Sequence, residues 1–262
     1  MPRVRLTVAY EGTDFHGWQA QTPPDGPPLR TVQGVLSDVV TQVVRAPVTL
    51  VGASRTDAGV HAIGQVAAFD ADLRIPIDRL AMAITARLPA DVQVREASLV
   101  ADSFDPIADP VSKAYRYRLA SAEPPRRWPP LFDRRTVAWT RHDLDVARMQ
   151  AAAQRLVGEH DVAGFAQIDH GRRTTVRTIH HCHVRESASG EVDIEIAGSG
   201  FLYNMVRIVA GTLHEIGRGR FDGERIDEIL ATGDRRLAGP TMPPEGLCLM
   251  WIRYPGDAEP SA

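Results

Sequence analysis

Two hydrophobic periods alternate along this chain, and their order limits what it can fold into. Val4, Leu6, Val8 and Tyr10 recur at every second residue, the repeat of a half-buried strand, which ends at Glu11-Gly12-Thr13. Val32, Val35, Leu36, Val39, Val40 and Val43 then recur at helical spacing, which predicts an amphipathic helix packed on a sheet. Val48 and Leu50 predict a strand running into Gly52-Ala53-Ser54, and Gln65 to Phe69 another. Ile77, Leu80, Ala81, Ile84 and Leu88 predict a second helix stopped by Pro89, with a strand at Val92 and Val94. Beyond it, Tyr115, Tyr117 and Leu119 alternate with Arg116 and Arg118, a strand with one basic face. A helix follows over Val146, Met149, Ala153, Leu156 and Val157, capped by Asp143 or Asp145. Then come a strand at Val192, Ile194 and Ile196, a helix from Leu202 to Ile216, a short helix at Ile226, Ile229 and Leu230, and a last strand from Leu247 to Ile252. Strand–helix–strand–strand–helix–strand, read twice, predicts two α+β halves of similar plan. The seam falls between Ser103 and Val111, which divides the chain into 1–107 and 108–262.

With 262 residues, 44% of them hydrophobic, and a net charge of −3, the chain can bury a sizeable core and is excluded from the disordered class. No apolar run approaches the ~20 residues of a membrane span, and no apolar signal region follows the charges of Met1-Pro2-Arg3-Val4-Arg5, so neither a membrane nor export is expected. Two cysteines, Cys182 and Cys248, make a disulfide scaffold implausible and suit a reducing cytoplasm. The pI near 6.3 leaves no overall basic footprint, so a polyanion would have to be met by one face. Lys113 is the single lysine among 30 basic residues. Arginine offers planar, multi-donor contacts that lysine lacks; its abundance permits RNA binding and equally reflects genome composition.

The segment Gly52-Ala53-Ser54-Arg55-Thr56-Asp57-Ala58-Gly59-Val60-His61-Ala62-Ile63-Gly64-Gln65 stands apart. It is too rich in small residues to pack a core, yet it carries Arg55, Asp57 and His61. Small residues permit close backbone approach by a ligand; the plain alternative is a hairpin-like connection with a turn aspartate. An arginine two positions away can hold the Asp57 carboxylate ionised. An ionised aspartate is a competent nucleophile toward an anomeric carbon, or a base toward a carbon acid. Hydrolytic glycosidases use two carboxylates, and this loop has one. One suffices if the departing group never leaves the pocket and is rejoined through another atom.

Arg55-Thr56-Asp57-Ala58-Gly59-Val60-His61-Ala62, followed by Gly64-Gln65-Val66, resembles the signature of the TruA family of tRNA pseudouridine synthases. Further matches run in order along the chain: Tyr10 to Gln19, Thr31-Val32-Gln33-Gly34, Lys113-Ala114-Tyr115-Arg116-Tyr117, Gly200 to Arg207, and Glu245-Gly246-Leu247-Cys248-Leu249. The octapeptide around Asp57 is the most specific of them. The resemblance implies an α+β pseudouridine synthase fold, two similar α/β halves with largely antiparallel mixed sheets joined around a central cleft. It implies a cofactor-free isomerase that converts uridine to pseudouridine at positions 38, 39 and 40 of the tRNA anticodon stem-loop, working as a homodimer with each RNA crossing both subunits. Asp57 would be the nucleophilic or basic aspartate. Tyr115 would stack on the target base near its carbon-5 side, Arg207 would pair with Asp57 across the cleft, and Arg55 would contact the RNA backbone. His61 would orient RNA or Asp57, or make a structural hydrogen bond. Ser54 departs from the pattern, since a glycine is frequent there, and the proline-rich stretch from Gln21 to Arg30 is longer than the usual turn.

Helical spacing places Arg207 about 140° from the centre of its helix's apolar face, with Tyr203 and His214 on the same side. From spacing alone this also describes a solvated outer face. Trp18 and Phe15 are candidates for base stacking or for core packing, and Cys248 for the core. Arg126, Arg127 and Trp128, and separately Arg172, Arg173 and Arg177, form candidate RNA-facing clusters or plain exposed loops. His180-His181-Cys182-His183 invites a zinc reading, but no second Cys/His cluster completes four ligands. Gly211, Gly217 and Gly219 lack a phosphate-loop lysine. The alternative to an enzyme is a non-catalytic RNA-binding or tRNA-folding module of the same fold, which would need neither Asp57 nor Arg207.

Overall fold

The computed structural model describes residues 1–121, 128–167 and 174–258. The chain gathers into two compact units, Met1–Val111 with Cys248–Ala262, and Ser112–Leu247.

The first unit contains β1 (Arg3–Tyr10), α1 (Val32–Val44), β2 (Val51–Gly52), β3 (His61–Asp70), α2 (Ile77–Thr85) and β4 (Val92–Val100). β1 runs antiparallel between β3 and β4, and β2 adds to β3 through Val51 opposite Ala68. The alternation in β1 is realised: Val4, Leu6, Val8 and Tyr10 are buried while Arg3, Arg5 and Thr7 face outward. Thr31 caps α1 by accepting from the Gly34 N–H at 3.3 Å. α2 stops at Thr85, three residues before the expected end, and Ala86 to Leu88 continue as tight turns. Pro89 is the cause, because the residue before a proline is pushed out of the α region. β3 begins at His61, four residues earlier than the apolar run suggests. It is buried on both faces through Ala67 and Ala68, so its small side chains hide the strand period.

The second unit contains β5 (Ser112–Ala120), β6 (Ala138–Trp139), α3 (Val146–Ala153), β7 (Gly158–Asp161), β8 (Val176–Glu186), β9 (Val192–Gly198), α4 (Met205–Gly217) and α5 (Arg225–Thr232). Its strands follow the order β5-β9-β8-β7, antiparallel throughout, and β6 joins β5 in parallel. Tyr117, Leu119, Cys182, Ile194, Ile196, Met149 and Ile208 are core residues of this unit. Of the two candidate caps of α3, Asp145 is the one used, accepting from the Arg148 N–H at 2.9 Å. α4 departs from the expected one-sided helix. From Met205 to Gly217 every residue except Arg207 is buried, His214 included, while Tyr203, just before the helix, stays about half exposed. The segment around Gly239 and Pro240 covers the second face: a Cβ on Gly211 would stand 1.9 Å from the Pro240 carbonyl oxygen. His214 and Glu215 are accommodated there because each finds partners. His214 Nε2 lies 2.8 Å from Thr140 Oγ1, and Glu215 accepts from Arg220 at 3.1 Å.

The last strand, β10 (Leu247–Arg253), pairs in parallel with β3 at Cys248 opposite His61 and Leu249 opposite Ala62. The chain's end thus belongs to the same compact unit as its beginning, through the pairing of β10 with β3. The α+β class, with largely antiparallel sheets, is as expected.

Candidate active site

Asp57 lies in the loop between β2 and β3, and each flank of that loop is tied down by a side chain. On the N-terminal flank, the wholly buried Gln65 amide donates to the Ser54 carbonyl at 2.6 Å and accepts from the Ser54 N–H at 3.2 Å. The backbone carries the same registration one residue earlier, with the Ala53 N–H donating to the Val66 carbonyl at 2.8 Å. Thr56 is buried; its hydroxyl lies 2.7 Å from the Tyr10 hydroxyl, and its carbonyl accepts from the Trp18 N–H at 3.0 Å. On the C-terminal flank, His61 Nδ1 accepts from the Gly12 N–H at 2.9 Å. This fixes Nδ1 as the unprotonated nitrogen, so a neutral ring carries its proton on Nε2.

Between these ties the chain turns tightly. The Val60 N–H donates to the Asp57 carbonyl at 3.2 Å, and Gly59 takes φ +80, a conformation that favours glycine. Asp57 is left half-buried, with Arg55 and Ala58 exposed on either side. The segment from Gly12 to Trp18 backs the turn so closely that a Cβ on Gly12 would stand 2.0 Å from the Val60 carbonyl oxygen. Ser54 is not among the residues with positive φ, so the serine sits where glycine is frequent without needing a glycine conformation.

In the second unit, Tyr115 lies on β5 opposite Ile196 of β9. The residue is 7% exposed, and its ring meets Phe201 edge to face, with centroids 5.3 Å apart. Arg207, on the first turn of α4, is half-buried. Its Nε donates to the Met242 carbonyl at 2.6 Å and its Nη1 to Asn204 Oδ1 at 2.9 Å. The Met242 N–H returns a bond to the Arg207 carbonyl at 3.2 Å. Arg55, Asp57 and His61 thus belong to the first unit, and Tyr115 and Arg207 to the second.

Trp18 and Phe15 are buried and serve the core. Trp18 packs so tightly on Gly52 that a Cβ there would stand 2.2 Å from the indole nitrogen. The Arg30 guanidinium sits 3.9 Å over the Phe15 ring and chelates Asp91, closing one end of the proline-rich loop. Trp128 is exposed, whereas Arg126, Arg127, Arg172 and Arg173 lie outside the described residues. Arg177 folds back onto the carbonyls of Thr174 and Val176. His181 and His183 stack 5.1 Å apart on the outer side of β8, and Cys182 between them points into the core, where burial pushes its thiol up to about 12. Cys248 is half-buried rather than fully in the core.

Gln65, Tyr10, Thr56 and Asn204 stand within the matched motifs, but nothing local to them shows what they hold. Gln65 carried a readable signal, a glutamine inside an apolar run, because a buried amide must find partners.

A family model described as tRNA pseudouridine synthase matches residues 6–106 and 152–255, segments that include Asp57 and Arg207; Tyr115 lies between them. The chain is 41% identical over 255 residues to the tRNA pseudouridine synthase A of Geotalea uraniireducens, covering 97% of this chain and 100% of that one. It is 41% identical to the protein of the same name in Myxococcus xanthus, with 97% and 92% covered. It is 38% identical to that of Syntrophomonas wolfei, with 99% and 100% covered. The chain belongs to the tRNA pseudouridine synthase family.

Proposed function

We propose that this protein isomerises uridine to pseudouridine in tRNA, at positions 38, 39 and 40 of the anticodon stem-loop. The observation that carries the reading is Asp57 itself, a half-buried carboxylate on a tight turn that Gln65, Tyr10 and His61 hold from both sides.

In the proposed reaction the C1′–N1 bond breaks, the uracil turns within the site, and C5 bonds to C1′. Asp57 adds to C1′, or removes the 2′-proton to give a glycal; both routes use the same carboxylate. Bond formation between C5 and C1′ frees the carboxylate, by breaking its bond to C1′ or by returning the proton to C2′; the C5 proton then passes to that carboxylate, and N1 gains a proton. Nothing is gained or lost overall, so no cofactor is required. The target uridine must leave the stem's stack at a cost of a few kcal/mol, of which stacking on Tyr115 returns ~1–3 kcal/mol. In this reading Arg207 is the cation that favours the ionised form of Asp57. Exposed Arg55 contacts the RNA backbone, and His61 positions the strand that follows the turn. Water must be kept from the detached uracil during its rearrangement.

The protein acts in the cytoplasm as a homodimer in this reading. Both cysteines are free, which suits a reducing compartment. A sizing run tests the dimer. The deciding experiment is tritium release from tRNA labelled at uridine C5. Wild-type protein releases tritium, and Asp57→Asn releases none while still binding tRNA. Sustained turnover by Asp57→Asn would remove Asp57 from the chemistry. Absence of release from folded, tRNA-binding wild-type protein would favour the non-catalytic module.

A further inference from the structure

Asn204 is held in an unusual state for its position. It precedes α4 with φ +59 and ψ +4, in the left-handed region, and is one of two non-glycine residues with positive φ among those described; the other, Arg45, ends a helix. Asparagine at a helix N-cap ordinarily accepts from a free N–H of the first turn. Asn204 makes no such bond. Its amide faces two other side chains instead: Oδ1 accepts from Arg207 Nη1 at 2.9 Å, and Nδ2 donates to Gln167 Oε1 at 2.6 Å. The two bonds together settle which way the amide points, since Arg207 can only donate. On its other side Arg207 is held by the Met242 carbonyl through Nε. A guanidinium gripped at Nε and Nη1 from two directions has its plane set.

We propose that Asn204 is a positioning residue for the isomerisation. It gives up its cap and keeps a strained backbone in order to fix the plane of the Arg207 guanidinium, with Gln167 fixing the Asn204 amide in turn. The inference rests on the function proposed above, in which Arg207 acts on Asp57. Backbone strain retained where a side chain serves a neighbour is the pattern expected of a functional position. A change in the Arg207 plane is expected to alter transition-state stabilisation more than tRNA affinity, because in the proposed reaction Arg207 acts at the reacting carboxylate.

Two variants separate positioning from folding. Asn204→Gly takes the left-handed conformation freely and removes the amide. Asn204→Asp tolerates the same backbone and restores an acceptor for Arg207. The single-turnover rate of tritium release should fall about tenfold in Asn204→Gly, with tRNA affinity within about twofold and an unchanged melting temperature. Asn204→Asp should recover to within about threefold of wild type. The Arg207 side-chain N–H signal in arginine-labelled protein gives a readout independent of activity: it should broaden or exchange faster in Asn204→Gly and return in Asn204→Asp. An unchanged Arg207 signal in Asn204→Gly overturns the proposal, as does a wild-type rate in that variant or a failure of Asn204→Asp to recover it. If wild-type protein made no pseudouridine, the proposed function would fail by itself, and the Arg207 signal would still decide whether Asn204 positions it.

Discussion

Gln65 holds Ser54 at two points, its Nε2 donating to the Ser54 carbonyl at 2.6 Å and its Oε1 accepting from the Ser54 N–H at 3.2 Å. A side-chain amide here does the work of one more rung of the β2–β3 ladder, three residues before Asp57. The same oxygen also accepts from the Val66 N–H at 3.1 Å. Replacing the amide by an apolar group of similar size would remove these three bonds. Gln65→Leu is therefore expected to lose about 2–4 kcal/mol of stability, each such bond contributing ~0.5–1.5 kcal/mol. Urea denaturation measures this, and a loss below ~1 kcal/mol would mean that the loop registers without the clip.

Gly12 and Gly26 offer a matched pair. A Cβ on Gly12 would stand 2.0 Å from the Val60 carbonyl oxygen, which is backbone and cannot swing aside. A Cβ on Gly26 would meet nothing closer than Pro23 at 3.7 Å. Gly12→Ala is expected to destabilise by about 2–3 kcal/mol, in the range of overpacking, and to displace the turn that carries Asp57. Gly26→Ala is expected to be neutral, or to stabilise by a few tenths of a kcal/mol through the unfolded chain. Melting temperatures of the two variants, compared side by side, would check this.

The two cysteines should separate cleanly in a labelling experiment. Cys182 is wholly buried and its thiol is pushed up to about 12, so at pH 8 it offers almost no thiolate and no access. Cys248 is half-buried. Native protein treated with iodoacetamide at pH 8 is expected to gain one label, at Cys248, and a second only after unfolding. Mass spectrometry of the native reaction would reveal any early modification of Cys182.

Acid should loosen the second unit through His214. Burial is the largest influence on this ring and lowers its pKa, outweighing the pull of the adjacent Glu215 carboxylate, while Arg218 and His142 push in the same direction as burial. The unfolded chain therefore binds the proton more tightly than the native one. The contribution is fully present above the unfolded value of about 6.5 and is lost as pH falls through the lower native value. The urea midpoint is expected to fall from pH 7 toward pH 5. His214→Gln should reduce the slope without abolishing it, because burial lowers His181 in the same sense. A slope unchanged in His214→Gln would remove His214 as a source of the effect.

Much of the fold was legible because much of it is local. The strand period of β1, the helical spacing of α1 and the cap at Asp145 depend on residues within a few positions of one another. The Asp57 loop was legible for the same reason: its glycines and polar side chains stand side by side in one short segment. Where the expected elements ran too long or began too late, a neighbouring effect intervened. Pro89 ended α2 early, and the small residues of β3 masked its period.

By itself, then, the sequence determined the order of the elements, their class and the segment that carries the carboxylate, since periodicity and turn chemistry act over one or two turns of chain. Tertiary structure alone decided that β10 pairs with β3 some 190 residues upstream in the numbering, that the second face of α4 is covered by the segment around Pro240, and that Asn204 forgoes its cap to bond Arg207. Those outcomes follow from burial and from which polar groups find partners once distant segments meet. No local pattern encodes them, because the same strand, helix and asparagine would read identically beside any other neighbours.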